Sequence, residues 1–198
     1  MSENQYYPRP DGQDLKATLE TLRSGGIILY PTDTIWGLGC DALNVEALAR
    51  INRIKGRAAD KNAIILLENE NQLQSYVEEV PEVAYQLIEY AERPLTIIYS
   101  GAKNLPPELI AEDGSIAIRI VKHPFTSPLL QRFRRPIVST SANFSGQSAP
   151  AHFHDIDPEI IEAVDYTVQY GQDEPGGDAL PSMIMKLEPG GKFSFLRK

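Results

Sequence analysis

The sequence holds a single cysteine, Cys40, so no disulfide can close within the chain and a reducing compartment is the natural expectation. With no histidine beside it in sequence, Cys40 reads as a small buried apolar residue rather than a nucleophile. No apolar run approaches the about 18–20 residues that a membrane-crossing helix needs. The opening residues carry Pro8, Pro10 and Gly12 and no hydrophobic segment of signal-peptide type. They read as a polar tail, 1–13, ahead of one cytoplasmic domain, 14–198. No G-x-x-x-x-G-K-[ST] loop is present, which excludes a P-loop nucleotide enzyme. The three histidines, His123, His152 and His154, form no zincin motif. His152 and His154 share a face of any extended segment, but two ligands make no closed metal site, and a surface loop is expected. Positive charge is scarce as well. Nineteen Lys and Arg face 27 Asp and Glu, a net charge of −8, which argues against tight non-specific nucleic-acid binding. The densest cationic run, Arg132, Arg134 and Arg135, reads as a solvated helix end.

What is present suffices for one sizeable core: 198 residues, 42% apolar and 23% charged. A helix is expected over 14–23, capped by Asp14, with Leu15, Leu19 and Leu22 on one face and Gly25-Gly26 ending it. The continuous apolar run 27–30 predicts a strand buried on both faces. A loop, 31–41, leads to a helix capped by Asn44, with Leu48, Ile51 and Ile54 inward and a stop near Gly56. Further strands are expected at 63–67, 95–99, 115–121, 136–139, 166–170, 182–187 and 193–196. Helical stretches are expected at 71–77, 81–92, 107–111, 127–133 and 158–163. The early alternation of strand and helix indicates an α/β domain with a mixed or mostly parallel sheet, and the shorter links near the end favour antiparallel pairing there.

Gly37-Leu38-Gly39-Cys40-Asp41-Ala42 matches G-x-G-x-x-A, with Glu68 where a ribose-binding acid would sit. The spacing opposes a dinucleotide site, because the first glycine lies seven residues after Tyr30 instead of in the turn that follows the first strand. A glycine stretch that lets backbones pass closely is the better reading. Three other clusters carry more chemistry: Pro31-Thr32-Asp33-Thr34, Lys55-Gly56-Arg57, and Ser139-Thr140-Ser141-Ala142-Asn143. Together they supply two cations, a row of hydroxyls and an amide, the equipment for holding a triphosphate beside a small polar substrate. Phosphoryl and nucleotidyl transfer depend mainly on positioning and charge stabilisation, so no acid–base dyad need be visible.

In order and wording, these clusters resemble the YrdC/TsaC family of threonylcarbamoyl-AMP synthases, over about Leu15 to Ser148. The resemblance implies an open, twisted, mixed α/β sheet with helices around it and a large concave cleft. It implies an enzyme that condenses L-threonine, bicarbonate and ATP to threonylcarbamoyl-adenylate and pyrophosphate. A partner transferase complex would then modify the tRNA adenosine beside the anticodon. Lys55 and Arg57 would be catalytic and contact the ATP phosphates, with Lys61, Ser141, Asn143 and Arg197 also at the nucleotide. Thr34, Arg119, Ser139 and Ser182 would hold threonine, Arg119 through its carboxylate. Magnesium would come with the nucleotide and not on a protein-built metal site. At Glu92-Arg93-Pro94-Leu95-Thr96 the chain departs from the family's Pro-Gly-Pro-Leu-Thr, which suggests a YciO-like branch. The alternative expectation is accordingly a nucleotide- or RNA-binding module with little synthase activity. The acidic balance argues against stable tRNA binding by this chain alone.

Overall fold

A computed structural model describes residues 9–56, 63–173 and 180–197. The first helix, α1 (Gly12–Arg23), is capped by Asp11, whose side chain accepts from the Gln13 N–H at 3.1 Å. The expected cap, Asp14, does different work. It is buried, and its carboxylate accepts from the Tyr166 hydroxyl at 2.8 Å and from the backbone N–H groups of Gln169 and Tyr170. By taking those N–H groups, Asp14 ends the strand expected over 166–170 after two residues, at β7 (Tyr166–Thr167).

The apolar run after α1 forms β1 (Ile28–Tyr30). The expected loop after it is half strand: β2 (Gly37–Asp41) runs antiparallel to β1. Its glycines conceal it from propensity, since Gly weakens a strand. They are required by packing: a Cβ on Gly39 would lie 2.6 Å from Cε1 of Tyr30 and 3.0 Å from the Val138 carbonyl oxygen. The Gly37-Leu38-Gly39 stretch is therefore mid-sheet and not the phosphate turn of a dinucleotide fold.

Asn44 caps α2 (Val45–Ile54) by accepting from the Ala47 N–H at 3.0 Å. The following elements are β3 (Ile64–Leu67), α3 (Leu73–Tyr76), α4 (Glu82–Glu89), β4 (Leu95–Tyr99) and β5 (Ile116–Ile120). Then come α5 (Thr126–Phe133), β6 (Ile137–Ser141), α6 (Pro158–Ala163), β7, β8 (Met183–Leu187) and β9 (Phe193–Arg197). Arg134 ends α5 in the left-handed region, at φ 59. Of the cationic run, Arg132 and Arg134 are exposed, while Arg135 pairs with Asp41 at 2.8 Å.

Among the described residues nine strands form one sheet in the order β7-β1-β2-β6-β3-β5-β4-β8-β9. β1/β7, β3/β5 and β4/β8 are parallel, and the remaining neighbours are antiparallel. It is an open, mixed sheet. One face packs Cys40, Val138, Ile65, Ile118, Ile97 and Met185, from successive strands, into the larger core. The opposite face carries a smaller core of Ile28, Tyr30, Leu66 and Ile137 against Leu129 and Phe133 of α5, Phe125 just before it, and Leu15 and Leu22 of α1. Each such buried side chain contributes roughly 1.5–3 kcal/mol against its exposed state. The α1 helix lies over β1, β2 and β7 and against α5. No residue of β4, β8 or β9 belongs to this smaller core.

Candidate functional site: a cationic cleft on the open half of the sheet

Strand register assembles the floor. Leu66, Arg119, Thr96, Ile184 and Arg197 pair across β3, β5, β4, β8 and β9, so their side chains share one face. The next row holds Gly39, Ser139 and Ile64, and beyond it Gly37 pairs with Ser141. A cleft of about 210 Å³ opens over this face, lined among others by Thr34, Arg119, Ser139, Ser141, Ser182 and Arg197. Six expected site residues, scattered over more than 160 positions of sequence, thus meet in one depression. Gly37 keeps it deep, since a Cβ there would lie 3.1 Å from the Ser139 Oγ. Trp36 also lines it and packs against Phe153, ring centres 4.9 Å apart.

Lys55 and Asn143 lie beside this depression and do not line it. Lys55 is the C-cap of α2 and is 3% exposed. Its Nζ donates to the carbonyls of Ser141 at 2.5 Å and Asn143 at 2.6 Å, and its own carbonyl accepts from the Ser145 N–H at 2.9 Å. Asn143 donates its amide N–H groups to the carbonyls of Phe144 and Gln147, folding the turn that follows β6. Arg57 and Lys61 fall outside the described residues.

The loop before β2 is built to be stiff. Thr32 Oγ1 bonds Thr34 Oγ1 at 2.9 Å, accepts from the Thr34 N–H and reaches the Ile35 carbonyl. Thr126 Oγ1 donates to the Pro31 carbonyl at 2.6 Å. Arg119, 4% exposed, meets Asp33 of this loop, Nη2 to Oδ1 at 3.1 Å. Across the cleft Arg197 donates from Nε to the Ser182 carbonyl at 2.9 Å. The Ser182 hydroxyl in turn shares a hydrogen bond of 2.8 Å with Thr96. Burial and the nearby Arg119 charge both lower the Arg197 pKa. Two guanidinium groups close enough to repel, one of them paired with the largely buried Asp33, suit anionic ligands even in a chain of net charge −8.

The sequence assigns no role to Thr96 or Trp36, and it names Asp33 only as part of the Pro31–Thr34 cluster. Thr96 is found through register, opposite Arg119, while Asp33 and Trp36 lie within two positions of Thr34 in the chain. Among the described residues no cluster of three His, Cys, Asp or Glu side chains is arranged to hold a metal ion. His152 and His154, expected in a surface loop, border the short helical turn Phe153–Asp155, where the His152 N–H donates to the Asp155 carboxylate at 3.2 Å and His154 is exposed. None of the helices among the described residues is long and apolar enough to cross a membrane.

Fold and cleft together define an α/β protein that gathers hydroxyls and two guanidinium groups over one face of an open mixed sheet. The chain belongs to the Sua5/YciO/YrdC family, described as telomere recombination, whose model matches residues 20–198. It is 35% identical over 187 residues to the threonylcarbamoyl-AMP synthase of Pseudoalteromonas translucida, covering 92% of this chain and 98% of that one. The threonylcarbamoyl-AMP synthase of Xanthomonas campestris is 32% identical over 184 residues, covering 91% and 97%. Among solved structures, P. abyssi Sua5 complexed with L-threonine superposes with a TM-score of 0.81 at 27% identity. That match covers 91% of this chain and 52% of the Sua5 chain, so this chain spans about half the Sua5 length. E. coli YciO gives a TM-score of 0.81 at 25% identity, covering 97% of this chain and 92% of that one.

Proposed function

We propose that the chain is an L-threonylcarbamoyladenylate synthase, joining L-threonine, bicarbonate and ATP and releasing pyrophosphate, in the service of tRNA modification. The observation that carries this reading is the shared cleft: Thr34, Arg119, Ser139, Ser141, Ser182 and Arg197 meet over one face of the sheet. Two further facts support it, the synthase names of relatives that align along nearly their whole length and the L-threonine bound by P. abyssi Sua5.

In this reading the threonine carboxylate lies against Arg119, where a buried guanidinium gives directional, charge-assisted hydrogen bonds. Thr34, Ser139 and Ser182 orient the rest of the amino acid. The amine bonds to the carbon of bicarbonate, with loss of water, to form a carbamate. A carbamate oxygen then bonds to the α-phosphorus of ATP as the bond to pyrophosphate breaks. Arg197 and Ser141, which both line the cleft, take the nucleotide, and Trp36, packed on Phe153, limits water near the labile intermediates. Lys55 contributes through the turn it holds, fixing Ser141 and Asn143 against the phosphates. Arg57 and Lys61 carry the cationic contacts to the leaving group on the strength of the family resemblance. Magnesium would come with the triphosphate and offset part of its charge, and among the described residues no acidic cluster would hold it apart from the nucleotide.

The product itself tests the proposal. Mass spectrometry of a quenched reaction with carbon-13 bicarbonate should show a labelled threonylcarbamoyl-adenylate. Labelled AMP adducts that form equally without threonine, or no adduct at all, would contradict it. The YciO-like alternative, favoured by Arg93 in place of glycine, predicts nucleotide binding without this product.

A further inference from the structure

Asp33 sits behind Arg119. Arg119 lines the cleft and Asp33 does not, yet the two side chains lie 3.1 Å apart and are nearly sealed from solvent, 4% and 10% exposed. The second Asp33 oxygen faces the Lys122 backbone N–H at 3.4 Å. The threonine hydroxyls on either side of Asp33 bond each other, and Thr126 ties down the Pro31 carbonyl, so the loop presents Asp33 in one orientation. The Nε of Arg119 and the Oδ1 of Asp33 are both buried without a hydrogen-bond partner among the described residues, and Nη2 meets that Oδ1 as an ion pair at 3.1 Å. A buried donor left unmade costs about 1–3 kcal/mol, which a ligand oxygen would recover.

Charge gives the pair a second consequence. Arg119 and Arg197 alone would present two positive charges to the cleft, a combination that favours a divalent phosphate over a singly charged carboxylate. Asp33 offsets one of them from behind. Resting on the reading of Arg119 as the carboxylate site, we propose that Asp33 is a positioning and selectivity residue. Through this ion pair it holds Arg119 in place and reduces its charge, so this arm of the cleft accepts the carboxylate of a zwitterionic amino acid and disfavours phosphate. Selectivity built by weakening the wrong ligand is a general route to discrimination. The direction of the Asp33 titration agrees with this arrangement: burial raises its pKa, and Arg119 is the strongest influence pulling it back.

The sole tryptophan, Trp36, lines the same cleft and supplies the readout. Its fluorescence would be titrated, without ATP, with L-threonine and separately with inorganic phosphate, in the wild type and in Asp33→Asn. The expected result is threonine affinity reduced at least about tenfold and phosphate affinity increased several-fold, the opposite signs that a general loosening cannot produce. Unchanged affinities in a folded variant, or both weakened together, would overturn the proposal. If Asp33→Asn does not fold, competition on the wild type decides: phosphate at millimolar concentration should not displace threonine, and displacement overturns the proposal. A wild type blind to threonine by fluorescence and calorimetry alike would instead defeat the carboxylate-site reading, and this proposal with it.

Discussion

The ammonium of Lys55 donates to the Ser141 carbonyl at 2.5 Å, joining the end of α2 to the end of β6 across 86 positions of sequence. The two clusters most conspicuous in the sequence are therefore parts of one hydrogen-bonded unit. Lys→Met at position 55 keeps the aliphatic stem and removes the donors. It should cost on the order of 3 kcal/mol, since charge-assisted bonds contribute roughly 1.5–3 kcal/mol each. Thermal unfolding would register this as a drop of about 6–12 °C, together with lost turnover. An unshifted melting curve with lost turnover would make Lys55 a ligand contact alone.

The Thr96–Ser182 hydroxyl pair predicts coupling between β4 and the Arg197 arm. Thr96→Val should cost about 1 kcal/mol of stability and reduce turnover, although Thr96 lies beneath Ser182. In a double-mutant cycle with Ser182→Ala the two effects should fall short of their sum. Strict additivity in turnover would show that Thr96 does not act through Ser182.

Gly39→Ala tests the close packing of β1, β2 and β6. The added Cβ would lie 2.6 Å from the Tyr30 ring and 3.0 Å from the Val138 carbonyl, so ring and strand must shift. Overpacking of this kind costs about 1–3 kcal/mol. Chemical denaturation that places the variant within 0.5 kcal/mol (roughly the scatter among neutral surface substitutions) would contradict the packing account.

This strand also shows where the sequence is readable. The helices of α1, α2 and α5 and the strands β1, β3, β4 and β5 announce themselves, because apolar periodicity and caps are local properties. The β2 strand does not. Its glycines answer to Tyr30 and Val138, partners that only the folded sheet supplies. Asp14 was similarly misread as a cap, its true partners lying some 150 residues away at Tyr166, Gln169 and Tyr170. The cleft residues could be named from motif resemblance, but the pairings that give them direction, Asp33 with Arg119 and Thr96 with Ser182, join loop residues to strand residues some 86 positions away in sequence.

His123 links stability to pH. Its Nδ1 accepts from the N–H groups of Phe125 and Thr126 at the start of α5. Burial, reinforced by the Arg119 charge, pushes its pKa down to about 4. The unfolded chain, with a histidine pKa of about 6.5, then binds more protons than the native state between those values. Stability contributed by the neutral ring is fully present above pH about 6.5 and is lost progressively down to about 4, by up to roughly 3 kcal/mol. His123→Asn keeps an acceptor for the helix N–H groups and removes the titration. Its stability should be flatter than the wild type over this window in denaturant titrations, and an identical slope would assign the pH dependence elsewhere.

The most direct test of the central claim is pyrophosphate release from ATP by the purified chain with magnesium, leaving out threonine or bicarbonate in turn. The account predicts release only when both are present, with serine a much poorer substitute for threonine. Release that ignores threonine, or none from a folded protein that still binds ATP, would contradict it and leave a nucleotide-binding member of the same fold.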